Sequence, residues 1–168
     1  PYTTSVLMHV LESFNDDLAV SGLLSDNNLD EVLKRHEETQ KFLFLQTWSN
    51  SSWTVENEAE AQAMLKSELL LVNDLCLFTS AVMLSLMECF DLRKLMWLLD
   101  AYQCNNIHVS QRALIGIIFA LHIYNARLDL YPEFSKRLDL VNEEFPLDED
   151  LARIYRQLLL CQETEKID

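Results

Sequence analysis

Two glycines and three prolines stand among 168 residues. This scarcity constrains the fold more than any motif does. Turn-rich β-sandwiches and phosphate-cradling loops draw on glycine for tight and left-handed backbone, and this chain has almost none to supply. Leucine is abundant, whereas the valine-threonine signature of strands is thin. Apolar residues recur near every 3.6 positions along nearly the whole length, which is the mark of helices. With 49% hydrophobic residues the chain can bury enough surface to offset its ordering entropy. The expected fold is all-α, with about 7–8 helices in a single domain over 1–168. The chain lacks an initiating Met and ends on the charged "QETEKID", so it reads as a piece of a longer protein.

The pattern places helices over Thr4–Val20, Leu29–Trp48, Glu56–Leu71, Asp74–Phe90 and Asp91–Cys104. A further helix ends near Asn125, and the last two run from Pro132 to Glu144 and from "LDED" to Gln162. Ser5 is the expected cap of the first helix, and Gly22 its left-handed terminator. "SDNNLDE" restarts the chain after it. Asn73-Asp74 is the expected break in the Gly- and Pro-free stretch from Val55 to Phe90, because both residues prefer caps to helix interiors. "SNSSW", within 49–54, reads as a loop or hinge flanked by Trp48 and Trp53. Those tryptophans either fasten the loop to the body or stand exposed as partner anchors.

"SQRALIGIIFALHIY", Ser110 to Tyr124, is the densest apolar stretch behind a clear start signal. A membrane span needs about 20 apolar residues, and the apolar run within it, Ala113 to Ile123, is about half that. Core packing is the expected role, with Gly116 marking close approach of another helix and His122 a hydrogen-bonded core residue. Leu69–Phe90 is long enough to span, but Asn73, Asp74 and Glu88 interrupt it. Asp74, Ser85 and Glu88 lie on one helical face, read either as a thin solvent-facing edge or as a seam for a partner.

The 13 basic and 27 acidic residues give a net charge of -14. Such a surface repels a nucleic-acid backbone and an anionic membrane, and leaves a protein with a basic segment as the natural partner. Cys76, Cys89, Cys104 and Cys161 are widely spaced and read as free thiols, with Cys76 and Cys89 buried. No secretory leader opens the chain, so a cytoplasmic location is expected. His36, beside Glu37 and Glu38, is expected in solvent.

Asn73-Asp74 aligns with Asn105-Asn106, and Ser80–Leu84 with Arg112–Gly116, at an offset of 32 residues from Ser80 to Arg112. "LMWLLDAYQCNNIHVSQRALIGIIFAL" resembles a HEAT-type helical repeat. In that family an apolar first helix leads through an Asp/Asn turn to a second helix opening with Val, Arg and Ala; here these are Val109, Arg112 and Ala113. Thr79 and Ser80 stand near the Arg position of the earlier block, which departs from the pattern, and no proline marks the first helices. The resemblance covers Glu56–Asn125 and fades elsewhere. The chain is also similar to uncharacterised bacterial helical-repeat proteins. These likenesses imply stacked antiparallel hairpins, protein binding, and a bridge from Arg112 to an acid in an adjacent turn, for which Asp100 is available. Physics points the same way, because a lone helical hairpin cannot bury its apolar face. Four hairpins fit: Thr4–Trp48, Glu56–Phe90, Asp91–Asn125 and Pro132–Gln162. An irregular helical bundle is the rival architecture.

No catalytic constellation stands out. There is no Gly-rich phosphate loop, nucleophile elbow or paired-histidine zinc helix. Val6, Leu33, Asn105 and Phe119 precede the four histidines by three, which excludes the Glu-x-x-His pattern of helical di-metal sites. Cys104 and His108 supply two ligands, too few for zinc. No catalytic, cofactor or metal residue is assigned. The function expected is a non-enzymatic helical-repeat interaction or scaffold module with an acidic surface. A ligand-binding or enzymatic helical domain, whose site converges only in space, is the alternative. The residues singled out for partner binding are Trp48, Trp53, Arg112, Glu143, Glu144 and Asp148.

Overall fold

A computed structural model describes residues 2–24 and 26–167. Among them are nine helices and no strand, so the chain is all-α. In order they are α1 (Thr4–Glu12), α2 (Phe14–Leu24), α3 (Asp26–Ser49), α4 (Val55–Lys66) and α5 (Val72–Glu88). Then come α6 (Leu92–Tyr102), α7 (Ile107–Leu128), α8 (Pro132–Glu144) and α9 (Leu147–Ile167). Pro1, Ser25 and Asp168, which fall in the opening, the "SDNNLDE" restart and the charged end, lie outside the described residues.

Serine side chains, rather than glycine or Asn-Asp, set two of the helix boundaries. The expected first helix is split at Ser13, whose hydroxyl bonds back to the Val10 carbonyl at 2.9 Å and to Asp17 at 3.1 Å. Thr3, not Ser5, caps α1 by accepting from the Val6 N–H. Gly22 terminates nothing, since α2 continues to Leu24 and no glycine has positive φ. Downstream, α4 stops at Lys66 because Ser67 turns extended and takes the Leu69 and Leu70 N–H groups. Asn73-Asp74 is therefore not the break but part of the first turn of α5. Asp91 and Asn106 cap α6 and α7 with their side chains, and Pro132 opens α8.

The hairpins pack in chain order. Helices α3, α5, α7 and α9 lie side by side in one layer, and α1, α4, α6 and α8 in the other. The α5–α7 and α6–α7 seams are the most extensive. By length and composition α7 could cross a membrane, but it sits between α5 and α6 with Val109, Ala113, Leu114, Ile117 and Ala120 buried. The stretch that opens with Ser110 thus packs protein. Tyr124 breaks the helical backbone at φ -110 and donates its hydroxyl to the Leu86 carbonyl at 2.6 Å.

Gly116 is where α7 comes closest to its neighbours. A Cβ there would lie 3.0 Å from Leu98 Cδ1 and 3.2 Å from Met83 Cγ. Gly116→Leu is expected to destabilise by about 3 kcal/mol in a denaturant titration, because the extra carbons have nowhere to go. Gly116→Ala is expected near neutral, the roughly 1 kcal/mol of helix propensity gained being offset by shifting those two side chains.

The last hairpin is pinned by Tyr102, which packs edge-on to Phe145 and donates to Asp150 at 2.7 Å. Burial, and then that bond, hold the Tyr102 phenol well above its ordinary value of 10.0. The folded state therefore keeps this proton to higher pH than the unfolded chain. Its contribution is complete below about pH 10 and is lost as pH rises through the folded-state value. Tyr102→Phe is expected to flatten the alkaline fall of the melting temperature, and an unchanged profile would count against this assignment.

Candidate docking furrow and the polar cluster at its wall

The polar line on α5 does not face solvent as its spacing suggested. Asp74 and Ser85 are buried, and only Glu88 is exposed. Ser85 donates to the Asn50 carbonyl at 3.1 Å and accepts from the Lys94 ammonium at 2.7 Å. Lys94, fully buried, also donates to the Asn50 carbonyl. Burial holds its ammonium below the ordinary lysine range, against the pull of Asp91. Asp91 in turn accepts from the Trp53 N–H at 2.5 Å. Loop 49–54 is thus fastened at both ends by groups from α5 and α6.

Trp53 is buried against Phe78 and Trp97, so of its two readings the structure shows the fastener and not the exposed anchor. Trp48 is 37% exposed and meets Phe44 edge-on. Arg112 does not reach Asp100. Its guanidinium donates to Ser80 Oγ at 2.7 Å and to the Cys76 carbonyl at 3.3 Å. Asp100 lies in the other layer, where it joins Gln62 of α4 to Arg137 of α8. Glu143 and Glu144 are exposed at the end of α8. Asp148 is exposed as well, and exchanges two hydrogen bonds with Asn142. The six residues singled out from sequence therefore do not form one site.

Three further expectations change. His122 is not a core residue: it is exposed and lines an open cleft of about 410 Å³ between α7 and α9, where the two helices stand apart. Cys89 is exposed, while Cys76 is buried and burial pushes its thiol up. His36 is not solvated: its side chain is 11% exposed and its ring stacks on Phe14, with centroids 3.8 Å apart. Among the described residues no three His, Cys, Asp or Glu side chains are grouped to hold a metal ion.

His36 marks the most unusual polar cluster. Its Nε2 lies 3.2 Å from Asp74 Oδ1, which also accepts from Gln40 at 2.5 Å. The Asp74 carboxylate is wholly buried, and His36 is the group in contact that can carry a compensating charge. Asp74 Oδ2 and His36 Nδ1 have no partner. A cavity of about 10 Å³ adjoins Asp74 and Gln40, the size of one water. A lone His, Asp and Gln give no sequence signal here, because they come from α3 and α5 and meet only in the fold.

Above this cluster runs a furrow. The α1–α2 arm lies antiparallel to α3, with Gln46 bonded to the Tyr2 carbonyl at one end and Phe14 on His36 further along. Two open clefts of about 300 Å³ each follow the seam and meet at Val10 and Arg35, which line both; the two together make up the trough. Val6, Val20, Leu24 and Phe42 line it and remain 45–68% exposed. Asp17 stands on one bank, and Glu31 and Glu38 on the other. Sequence periodicity could not find this trough, because its apolar residues have the same spacing as core residues.

No protein-family model, curated protein or solved structure matches the chain.

Proposed function

We propose that this chain is a non-enzymatic helical-repeat module that binds another protein through an acidic surface. One observation carries the reading: the trough over the first hairpin is apolar and open, with acidic residues along its banks. Exposed Val6, Val20, Leu24 and Phe42 give this face apolar area that a partner would cover. The HEAT-like register supports the reading too: Ser80 and Arg112, aligned at an offset of 32 residues, touch across neighbouring helices.

The second reading, a ligand-binding helical domain, has its own observation. The His36–Asp74 pair, with unpartnered polar atoms on both sides, lies against a cleft of about 300 Å³. A reducing compartment suits either reading, given four free thiols.

The deciding experiment is affinity capture on the chain from its native lysate at two salt concentrations, paired with a thermal-shift screen of metabolites and metals. A protein retained in stoichiometric amount, with no stabilising small molecule, is the expected result. A single stabilising metabolite and no retained protein would favour the ligand reading.

A further inference from the structure

We propose that the trough over the first hairpin docks one amphipathic helix that carries basic residues along its flanks; this rests on the reading of the chain as an interaction module. The trough lies on the seam of two antiparallel arms, the natural seat for a third helix at about 8–10 Å between axes. The α3 side has 24 residues, so a partner helix of about 18 residues, or roughly 27 Å, fits along it. Val6 and Phe42 at one end and Val20 and Leu24 at the other would receive apolar residues spaced at i, i+3, i+4 and i+7.

Charge selects among the occupants. Asp17, Glu31 and Glu38 line the banks, and among the described residues Arg35 is the one fixed cation lining either cleft. Lysine or arginine on the flanks of the incoming helix would meet those carboxylates. A second copy of this chain is disfavoured, because each carries a net charge of -14. An anionic lipid surface is disfavoured on the same ground. The cleft between α7 and α9, at about 410 Å³, exceeds either half of the trough taken alone, but its rim of His122 and Glu165 gives a basic helix less to hold.

The test uses the full chain and a fluorescent synthetic helix of about 18 residues with a leucine seam and lysine flanks, read by anisotropy. Phe42→Glu is expected to weaken binding at least about tenfold, as for the loss of an aromatic anchor with a carboxylate put in its place. Phe42 is half exposed, so the variant should fold, and an unchanged melting curve verifies this. The pair Glu31→Lys with Glu38→Lys should weaken binding more at low salt than at high salt. Leu159→Glu, in the α7–α9 cleft, should leave binding unchanged. A peptide with the same leucine seam and glutamate flanks should not bind. Three results would overturn the proposal: no binding of the lysine peptide, equal binding of both peptides, or loss with Leu159→Glu but not with Phe42→Glu. A natural protein captured equally by wild type and Phe42→Glu would sink the trough while sparing the module reading.

Discussion

Trp97→Ala is expected to lower the unfolding free energy by about 4 kcal/mol, the cost of emptying a large aromatic from a packed core. In a chain of this length the melting temperature should fall by about 10 °C. Trp97 has no exposed surface. Its ring meets Trp53 edge-on at 6.2 Å and Phe78 edge-on at 5.2 Å, while Trp53 and Phe78 stack at 6.5 Å. Its indole N–H donates to the Ala61 carbonyl at 2.9 Å, tying α6 to α4. One side chain therefore joins α4, the loop at 53, α5 and α6. Trp97→Phe keeps most of the ring contacts and loses that bond, so it should cost clearly less. Urea titrations of the three proteins check this. A loss below about 1 kcal/mol for the alanine variant would mean that the aromatic cluster is not the centre of the fold.

The helical class was legible because periodicity and the lack of glycine act over long windows, where local accidents average out. Boundaries were less legible where one side chain competes for backbone groups. Ser13 and Ser67 end helices through their own hydroxyls, and nothing in their neighbours announces it. The line of Asp74, Ser85 and Glu88 shows the limit of a moment argument. Spacing says that three residues share a face, but not whether water or another helix meets it. Here α3 and loop 49–54 meet it, so two of the three are inside. Lys94 was missed for the same reason, since a lysine in a helix reads as solvent-facing until a loop carbonyl is seen above it. The HEAT-type resemblance implied a bridge from Arg112 to Asp100, whereas the two layers send them apart, Arg112 to Ser80 and Asp100 to Arg137. Conversely, the trough was hidden among core-like residues: Val6 and Phe42 keep the periodicity of packing, and they are exposed because no helix among the described residues lies over them.

Asp91→Ala is the second large effect, and it tests whether loop 49–54 is held by a buried network. One carboxylate serves two elements. Its Oδ1 caps α6 by accepting from the Arg93 N–H at 2.9 Å, and its Oδ2 accepts from the buried Trp53 N–H at 2.5 Å. Losing the cap costs about 1 kcal/mol. Leaving the Trp53 N–H buried without an acceptor costs about 2 kcal/mol more. The negative charge beside Lys94 is lost as well, which leaves that ammonium with neutral acceptors alone. A total near 3 kcal/mol is therefore expected, together with new chymotrypsin cleavage at Trp53 as the loop lifts. Asp91→Asn keeps one acceptor of the two and should fall between wild type and the alanine variant. Stability changed by under about 1 kcal/mol, with Trp53 still resistant to the protease, would show that the aromatic packing alone holds the loop and that the Asp91–Lys94 network is dispensable.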